Sequence, residues 1–405
     1  MAAGLSRRGG PHPRAPRVPL ATTEQRLCAW LAELHAALGR GRRPDVELSA
    51  ILRREHPDEA LRRRLVRASA AWFRWSRVLG LEVSRLHPRE LDRLLQLERT
   101  AAGPGGAAEA LARAGWTGDP ADLLPPWLRA GLPAASDAPA LALAFLRPPN
   151  PWLRAVDETR LRAGLGGLAE SLRPHAVLPG AWRLSTKEDL YGTAGFREGA
   201  FVLQDPASQA IGAACGARPG EHWLDLCAGA GGKSLQLAAA MGGKGLVHAF
   251  DIHEGRLEEL RRRARRQGVF NLEARVWDGV TLPPLPRLRG VLVDAPCSGS
   301  GTLRRNPDLW HRPAPDLAQL TAIQDGLLER AAAVLPEGGR LVYATCSVLE
   351  TENEERVAAF RERHPGWMPA SVVHPLTGET SGGILRVEPT DGDQDGTFVA
   401  VLERG

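Results

Sequence analysis

The stretch Asp225 to Lys233, DLCAGAGGK, stands where a segment of strand character ends and one of helix character begins. Its small residues let a backbone approach a ligand closely, and the N-terminus of the following helix offers unpaired N–H groups. A glycine loop of this kind serves many nucleotide-type ligands. The dinucleotide fingerprint G-x-G-x-x-G would put its third glycine at Ser234, which disfavours a nicotinamide cofactor.

From this loop onward the chain alternates strand and helix patterns, the mark of a doubly wound α/β sheet. We expect strands at Trp223–Cys227, Leu246–Phe250, Leu272–Val276, Gly290–Val293 and Arg340–Ala344. Helices are expected at Lys233–Met241, Glu254–Gln267, Asp316–Val334 and Glu352–Arg363, with Gly383–Val387 and Thr397–Leu402 as an antiparallel edge pair. Acids then fall at successive strand ends: Asp225, Asp251, Asp278 and Asp294. A carboxylate after the second strand can accept both hydroxyls of a ribose, and one after the third can reach an adenine amino group. Together they point to a nucleoside-bearing cofactor.

Two cysteines share that edge. Cys297 lies in VDAPCSGSGT (Val293 to Thr302) and Cys346 in ATCS (Ala344 to Ser347), just after the fourth and fifth strands. Thiols suit the methylation of a cytosine at C5, a poor nucleophile. Thiolate addition to C6 breaks the ring conjugation and makes C5 enamine-like. An acid beside N3 and the exocyclic amine balances the developing charge, a role for Asp294, and a second group helps remove the C5 proton.

The chain ahead of the sheet differs in composition. Residues 1–135 carry 22 arginines against 14 acids, a net of +8, whereas the remainder nets −3. An arginine-rich front end fits an electrostatic footprint for nucleic acid, and equally a solvated helical surface. Residues 1–20 read as a flexible basic tail and 21–135 as a helical unit, with apolar residues three and four apart, as in Leu27, Trp30, Leu31 and Leu34. AAGPGGAAEA after Thr100 and GLPAASDAPA after Ala130 read as breakers, residues 149–200 as a small α+β connector, and 201–405 as the catalytic domain.

Of 405 residues 43% are hydrophobic, enough for a sizeable core, and the apolar runs are too short for a membrane span. The cysteines, Cys28, Cys215, Cys227, Cys297 and Cys346, have neither zinc-site spacing nor a disulfide-scaffold count, so we expect no metal and a reducing cytoplasm. The lysines are Lys187, Lys233 and Lys244 alone, which marks Lys233 as a position that resists arginine. RRNPDLW, Arg304 to Trp310, joins cations to an aromatic, and Arg304, Arg305 and Trp310 are candidates for RNA contact or for a loop that packs down. The run RRRARR at Arg261–Arg266 reads as a solvated helix face.

DAPCSGSGT, ATCS, DLCAGAGGK and VLQDPASQ (Val202 to Gln209) together resemble the Sun/Nol1/Nop2 RNA cytosine-5 methyltransferases, over roughly Asn150 to the C-terminus. By layout the chain is similar to bacterial small-subunit ribosomal RNA methyltransferases with a helical NusB-like RNA-binding front domain. The resemblance implies a class I fold dependent on S-adenosyl-L-methionine (AdoMet), with Cys346 as nucleophile and Cys297 assisting proton removal and product release. It implies cofactor contacts from Cys227, Ala228, Gly229, Ala230, Gly231, Gly232 and Lys233, and from Asp251, Asp278 and Asp294. The family's loop usually reads A-P-G-G-K-T, and this chain has Ala230 where that proline stands. DNA enzymes lack the second cysteine, so both together favour RNA, ribosomal by layout, handled by a monomer. The alternatives are a non-catalytic RNA-binding assembly factor and a methyltransferase for tRNA or DNA.

Overall fold

The computed structural model describes residues 22–155, 157–186 and 188–405, so the basic tail expected at 1–20 lies outside them. The front of the chain is helical: α1 (Thr23–Gly39), α2 (Pro44–Glu55), α3 (Glu59–Trp75), α4 (Pro88–Ala101), α5 (Gly106–Ala114), α6 (Pro126–Gly131) and α7 (Ala138–Leu146). Helix α1 starts at a capping box in which Thr22 and Gln25 satisfy each other's backbone N–H groups. The three-and-four spacing does what its periodicity predicts, burying Leu27, Trp30, Leu31 and Leu34 of α1 against Leu65, Ala68, Trp72 and Trp75 of α3. Neither predicted breaker ends this unit. Gly106 opens α5, Asp137 caps α7, and Leu141, Ala142, Phe145 and Leu146 join the same core, so the helical unit runs past Ala135 to Leu146.

The connector is a four-stranded antiparallel sheet built from β1 (Trp152–Arg154), β2 (Leu172–Pro174), β3 (Ala181–Leu184) and β4 (Val202–Leu203), in the order β2-β3-β1-β4. Two short helices, α8 (Glu158–Leu165) and α9 (Ala194–Arg197), lie within it.

The large sheet follows α10 (Pro206–Cys215). Its elements are β5 (His222–Asp225), α11 (Gly232–Ala240), β6 (Leu246–Asp251), α12 (Glu254–Gln267), β7 (Leu272–Val276), β8 (Gly290–Asp294), α13 (Leu317–Val334), β9 (Arg340–Thr345), α14 (Glu354–Arg363) and β10 (Trp367–Pro369). A two-stranded ribbon, β11 (Val372–Val373) with β12 (Thr380–Ser381), precedes β13 (Ile384–Val387) and β14 (Thr397–Arg404). The order is β10-β14-β9-β8-β5-β6-β7, with β13 also on β14. Strands β7 through β9 are parallel, the doubly wound architecture that the sequence implied. The order reverses at β5, between β6 and β8, and ligands of such sheets bind outside the strands' C-terminal ends at that switch point.

The last pair differs from expectation. β13 and β14 are antiparallel, but β14 is an interior strand, paired with β9 along Phe398 to Glu403. Its run TFVAVL is buried throughout, as befits a strand covered on both faces.

The helical unit docks on the catalytic sheet through one continuous core. Leu303, Leu309, Trp310, Val348 and Leu349, from the loops that follow the two cysteine motifs, are buried among the helical residues. This corrects the RNA-contact expectation for Arg304 and Trp310. Trp310 is 4% and Arg304 1% exposed. Arg304 pairs with Asp393 and donates to the Gln394 carbonyl at 2.9 Å, while its own carbonyl accepts from the buried Arg74 of α3. Arg305 is clamped between Asp395, at 2.8 Å, and Asp205, the residue that caps α10. Arg304 is thus enclosed, whereas Arg305 keeps 38% of its side chain exposed while paired to two carboxylates. Arg304→Met is therefore expected to lower stability by roughly 3 kcal/mol, since it strands Asp393 as a nearly buried charge. Urea unfolding checks this, and a variant of native stability that binds RNA more weakly would restore the RNA role.

Candidate active site

Asp294 pairs in register with Ala344 across β8 and β9, so the loops carrying Cys297 and Cys346 leave the sheet side by side. The two sulfurs lie 3.2 Å apart, in hydrogen-bonding contact, and both cysteines are free thiols. The contact with Cys346, then burial, pushes the Cys297 thiol well above its ordinary range.

Both thiols open on a cavity of roughly 1020 Å³ outside the switch point. Its walls include Cys227, Ala228, Gly229, Ala230, Gly232 and Lys233 from the loop, and Asp251, Asp278 and Asp294 from the strand ends. Gly231 is not among them. Its φ is +85°, and an added Cβ would sit 2.6 Å from Leu260, so this glycine serves the turn and its packing on α12 rather than the cavity.

The acids have distinct tasks. Asp251 is buried, and its two oxygens accept the N–H groups of Gly229 at 2.9 Å and His253 at 2.8 Å. That ties the loop to β6, with further lone pairs left on each oxygen. Asp278 is exposed, and backbone N–H groups of Val280 and Thr281 hold its carboxyl below the usual range. Lys233 reaches Asp294 with Nζ 2.7 Å from Oδ2. Burial opposes the ammonium, but Asp294 and the neighbouring Cys346 outweigh it and raise the lysine's pKa.

Asp225 does not line the cavity. It is 1% exposed and anchors the loop from beneath, accepting from Ser234 Oγ at 2.6 Å and from the Cys227 N–H at 3.3 Å. Burial pushes its carboxyl up to about 7. A folded-state pKa above the unfolded one stabilises most below pH ~4, and that contribution is lost as pH rises through 7. Relative to Asp225→Asn, the wild type should gain at most about 1.4 kcal/mol per unit as pH falls from 7 to 4. Paired denaturation curves at pH 5 and pH 8 test this, and a pH-independent difference refutes it.

Residues that sequence reading passed over complete the walls, among them Ile252, Trp277, Ile323 and Arg330. Ile252 is 59% exposed directly after Asp251, and an apolar residue left bare beside a strand-end acid is the signal that would have found it. A second cavity, of about 330 Å³, touches Cys297 and Ser298 from the other side. The helical unit forms its far wall with Arg42, Arg43 and Trp127, and Arg312 joins from the catalytic part.

The Cys297 loop is braced by a buried carboxylate. Glu352 is 0% exposed, and its oxygens accept from the Ser298 N–H at 2.8 Å, the Ser298 hydroxyl, and Gln324 Nε2 at 3.1 Å. The same Gln324 nitrogen donates to the Pro296 carbonyl at 3.0 Å, so both neighbours of Cys297 are held. Among the described residues no group of side chains is arranged to hold a metal ion, and no helix is long and apolar enough to cross a membrane.

Residues 214–403 match the family model described as 16S rRNA methyltransferase RsmB/F. The chain is 36% identical over 282 residues to the ribosomal RNA small subunit methyltransferase B of Thermus thermophilus, covering 69% of this chain and 65% of that protein. It is 35% identical over 240 residues to a probable ribosomal RNA small subunit methyltransferase B of Synechocystis, covering 56% of this chain and 53% of the relative. It thus spans between half and two thirds of the length of these relatives. The solved structure of PH0851 superposes with a TM-score of 0.73 at 23% identity, covering 95% of this chain and all of that one, which extends the shared fold over the front helices. Through the sheet that carries both cysteines, residues 214–403 are similar to the RsmB/F methyltransferases.

Proposed function

We propose that this protein transfers a methyl group from AdoMet to C5 of a cytosine in RNA, ribosomal RNA of the small subunit by the names of its relatives. The observation that carries the reading is the pair of thiols 3.2 Å apart on one cavity with Asp251, Asp278 and Asp294.

The residues present fit the cofactor. Single-ligand pockets run to about 300–1,000 Å³, so this cavity has room for AdoMet and a base together. Asp251 would take the ribose hydroxyls, Asp278 the adenine amine, and the loop backbone with Lys233 the amino-acid end. Bound AdoMet supplies an electrophilic methyl group. Cys346 then adds through sulfur to C6 of the flipped base, and the displaced electron pair makes C5 the nucleophile. Asp294, steered by Lys233, faces the N3 and amine edge where charge develops. Loss of the C5 proton, assisted at Cys297, lets the C6–S bond break and restores the ring. The smaller cavity that touches Cys297 fits the approaching strand, with Trp127 available to a base and with Arg42, Arg43 and Arg312, each paired to a nearby acid, lending charge to its walls.

The test is incubation of the protein with labelled AdoMet and small-subunit ribosomal RNA, transfer RNA or DNA, followed by nucleoside analysis. Label in 5-methylcytidine from RNA supports the reading. Label in DNA alone overturns it, and failure to bind AdoMet by calorimetry favours the non-catalytic alternative.

A further inference from the structure

Arg154 of β1 is 7% exposed, yet no carboxylate among the described residues pairs with it. Its Nε donates to Gln204 Oε1 at 2.7 Å, and its Nη2 is buried without an acceptor. Burial alone draws the guanidinium down to about 10. A charge removed from water without a partner is destabilising by several kcal/mol, so an anion at this point would relieve the fold.

Space for one exists. Arg154 lines a cavity of roughly 670 Å³ between the connector and the sheet. The loops that close it precede β6 and β7, so it lies at the N-terminal ends of the parallel strands, opposite the cysteines. Gln267 stands in the same wall with its Nε2 also buried and lacking an acceptor. Arg160 adds an exposed cation beside the buried one, and Phe270, 87% exposed, presents a bare ring. The wall's carboxylate, Asp157, is engaged in capping α8, where it accepts the Arg160 N–H at 2.9 Å.

We propose that this cavity is a second nucleotide-binding site, in which Arg154 and Arg160 receive a phosphate oxyanion and Phe270 stacks a base. The phosphate chemistry is shared by free phosphate and by an RNA backbone, and the exposed ring argues for RNA. That last step rests on the RNA reading above, whereas the anion site does not.

Thermal unfolding with and without inorganic phosphate comes first, on wild type and Arg154→Met. Without phosphate the variant should be as stable as wild type or more so, because a buried unpaired charge is gone. Millimolar phosphate should raise the wild-type midpoint and leave the variant's smaller or absent response. Equal responses in both overturn the site. Binding of a short single-stranded RNA to Phe270→Ser, a change at an exposed position, should weaken about tenfold, the scale of one stacked base, with the phosphate response intact. RNA affinity unchanged in both variants beside an Arg154-dependent phosphate response overturns the nucleotide assignment in favour of free phosphate. Incorporation of label at saturating RNA, measured on Phe270→Ser, reports separately on the methyl-transfer reading.

Discussion

Cys346→Ala should abolish methyl transfer, by about 10⁴-fold or more, and should form no covalent RNA complex, because losing a nucleophile removes the whole adduct pathway. Cys297→Ala should behave in the opposite way and accumulate a protein–RNA adduct that survives a denaturing gel. Both thiols face one cavity in contact with each other, and the resemblance to RNA cytosine-5 methyltransferases is what assigns addition to Cys346 and release to Cys297, whose thiol that contact and burial push up. Addition to C6 needs a thiolate, whereas holding or passing a proton suits a thiol of raised pKa. Without Cys297 the adduct forms and methylation proceeds, but release stalls. A methyl-transfer assay on both variants, run beside the gels, separates the roles. An adduct that requires Cys297 and persists without Cys346 would reverse the assignment and reopen the DNA-type alternative.

The sheet and its acids were legible in the sequence because the physics there is local. Buried parallel strands are short apolar runs, each ending in a small or acidic residue at the ligand edge. β7 and α12 lie where periodicity put them, and β5, β6, β8 and β9 differ by a residue or two at their ends. What stayed hidden depends on partners far away in the chain. Arg304 and Trp310 read as a nucleic-acid loop because nothing nearby reveals that Arg74, 230 residues earlier, will reach the Arg304 carbonyl. Gly231 looks like its neighbours until Leu260 is seen against it. Arg42 and Arg43 were part of a general arginine excess, and only the docking of the helical unit brings them to a cavity shared with Cys297. The run at Arg261–Arg266 is a solvated face only in part: Arg261, Arg262 and Arg263 pair with Glu254 and Glu259 of the same helix, whereas Arg266 packs over the Phe196 ring at 4.2 Å.

Glu352 is the position where a change outside the reacting atoms should matter most. Its carboxylate is the acceptor for two groups of Ser298 and one of Gln324, all in the wall behind Cys297. Glu352→Ala strands the Ser298 N–H, at about 1–3 kcal/mol, and takes one acceptor each from the Ser298 hydroxyl and Gln324, which keep Ser347 and Pro296, so the variant should be clearly destabilised. Glu352→Gln keeps the shape and one carbonyl oxygen, and should cost only about 1–2 kcal/mol. Its amide must present N–H to one of the donors that the carboxylate satisfied, so the Ser298 turn shifts and Cys297 with it. Cys346 makes no bond to Glu352 and meets that turn only through Cys297, Ser347 and Gly301, so addition should suffer less than release. The conservative variant should therefore resemble a weakened Cys297→Ala, with slower turnover and a detectable covalent RNA complex. Urea unfolding and adduct gels on Glu352→Gln measure the two effects separately. Lower stability with no adduct at any stage of the reaction would make Glu352 a packing residue alone, and native stability with native turnover would remove it from the account of the site.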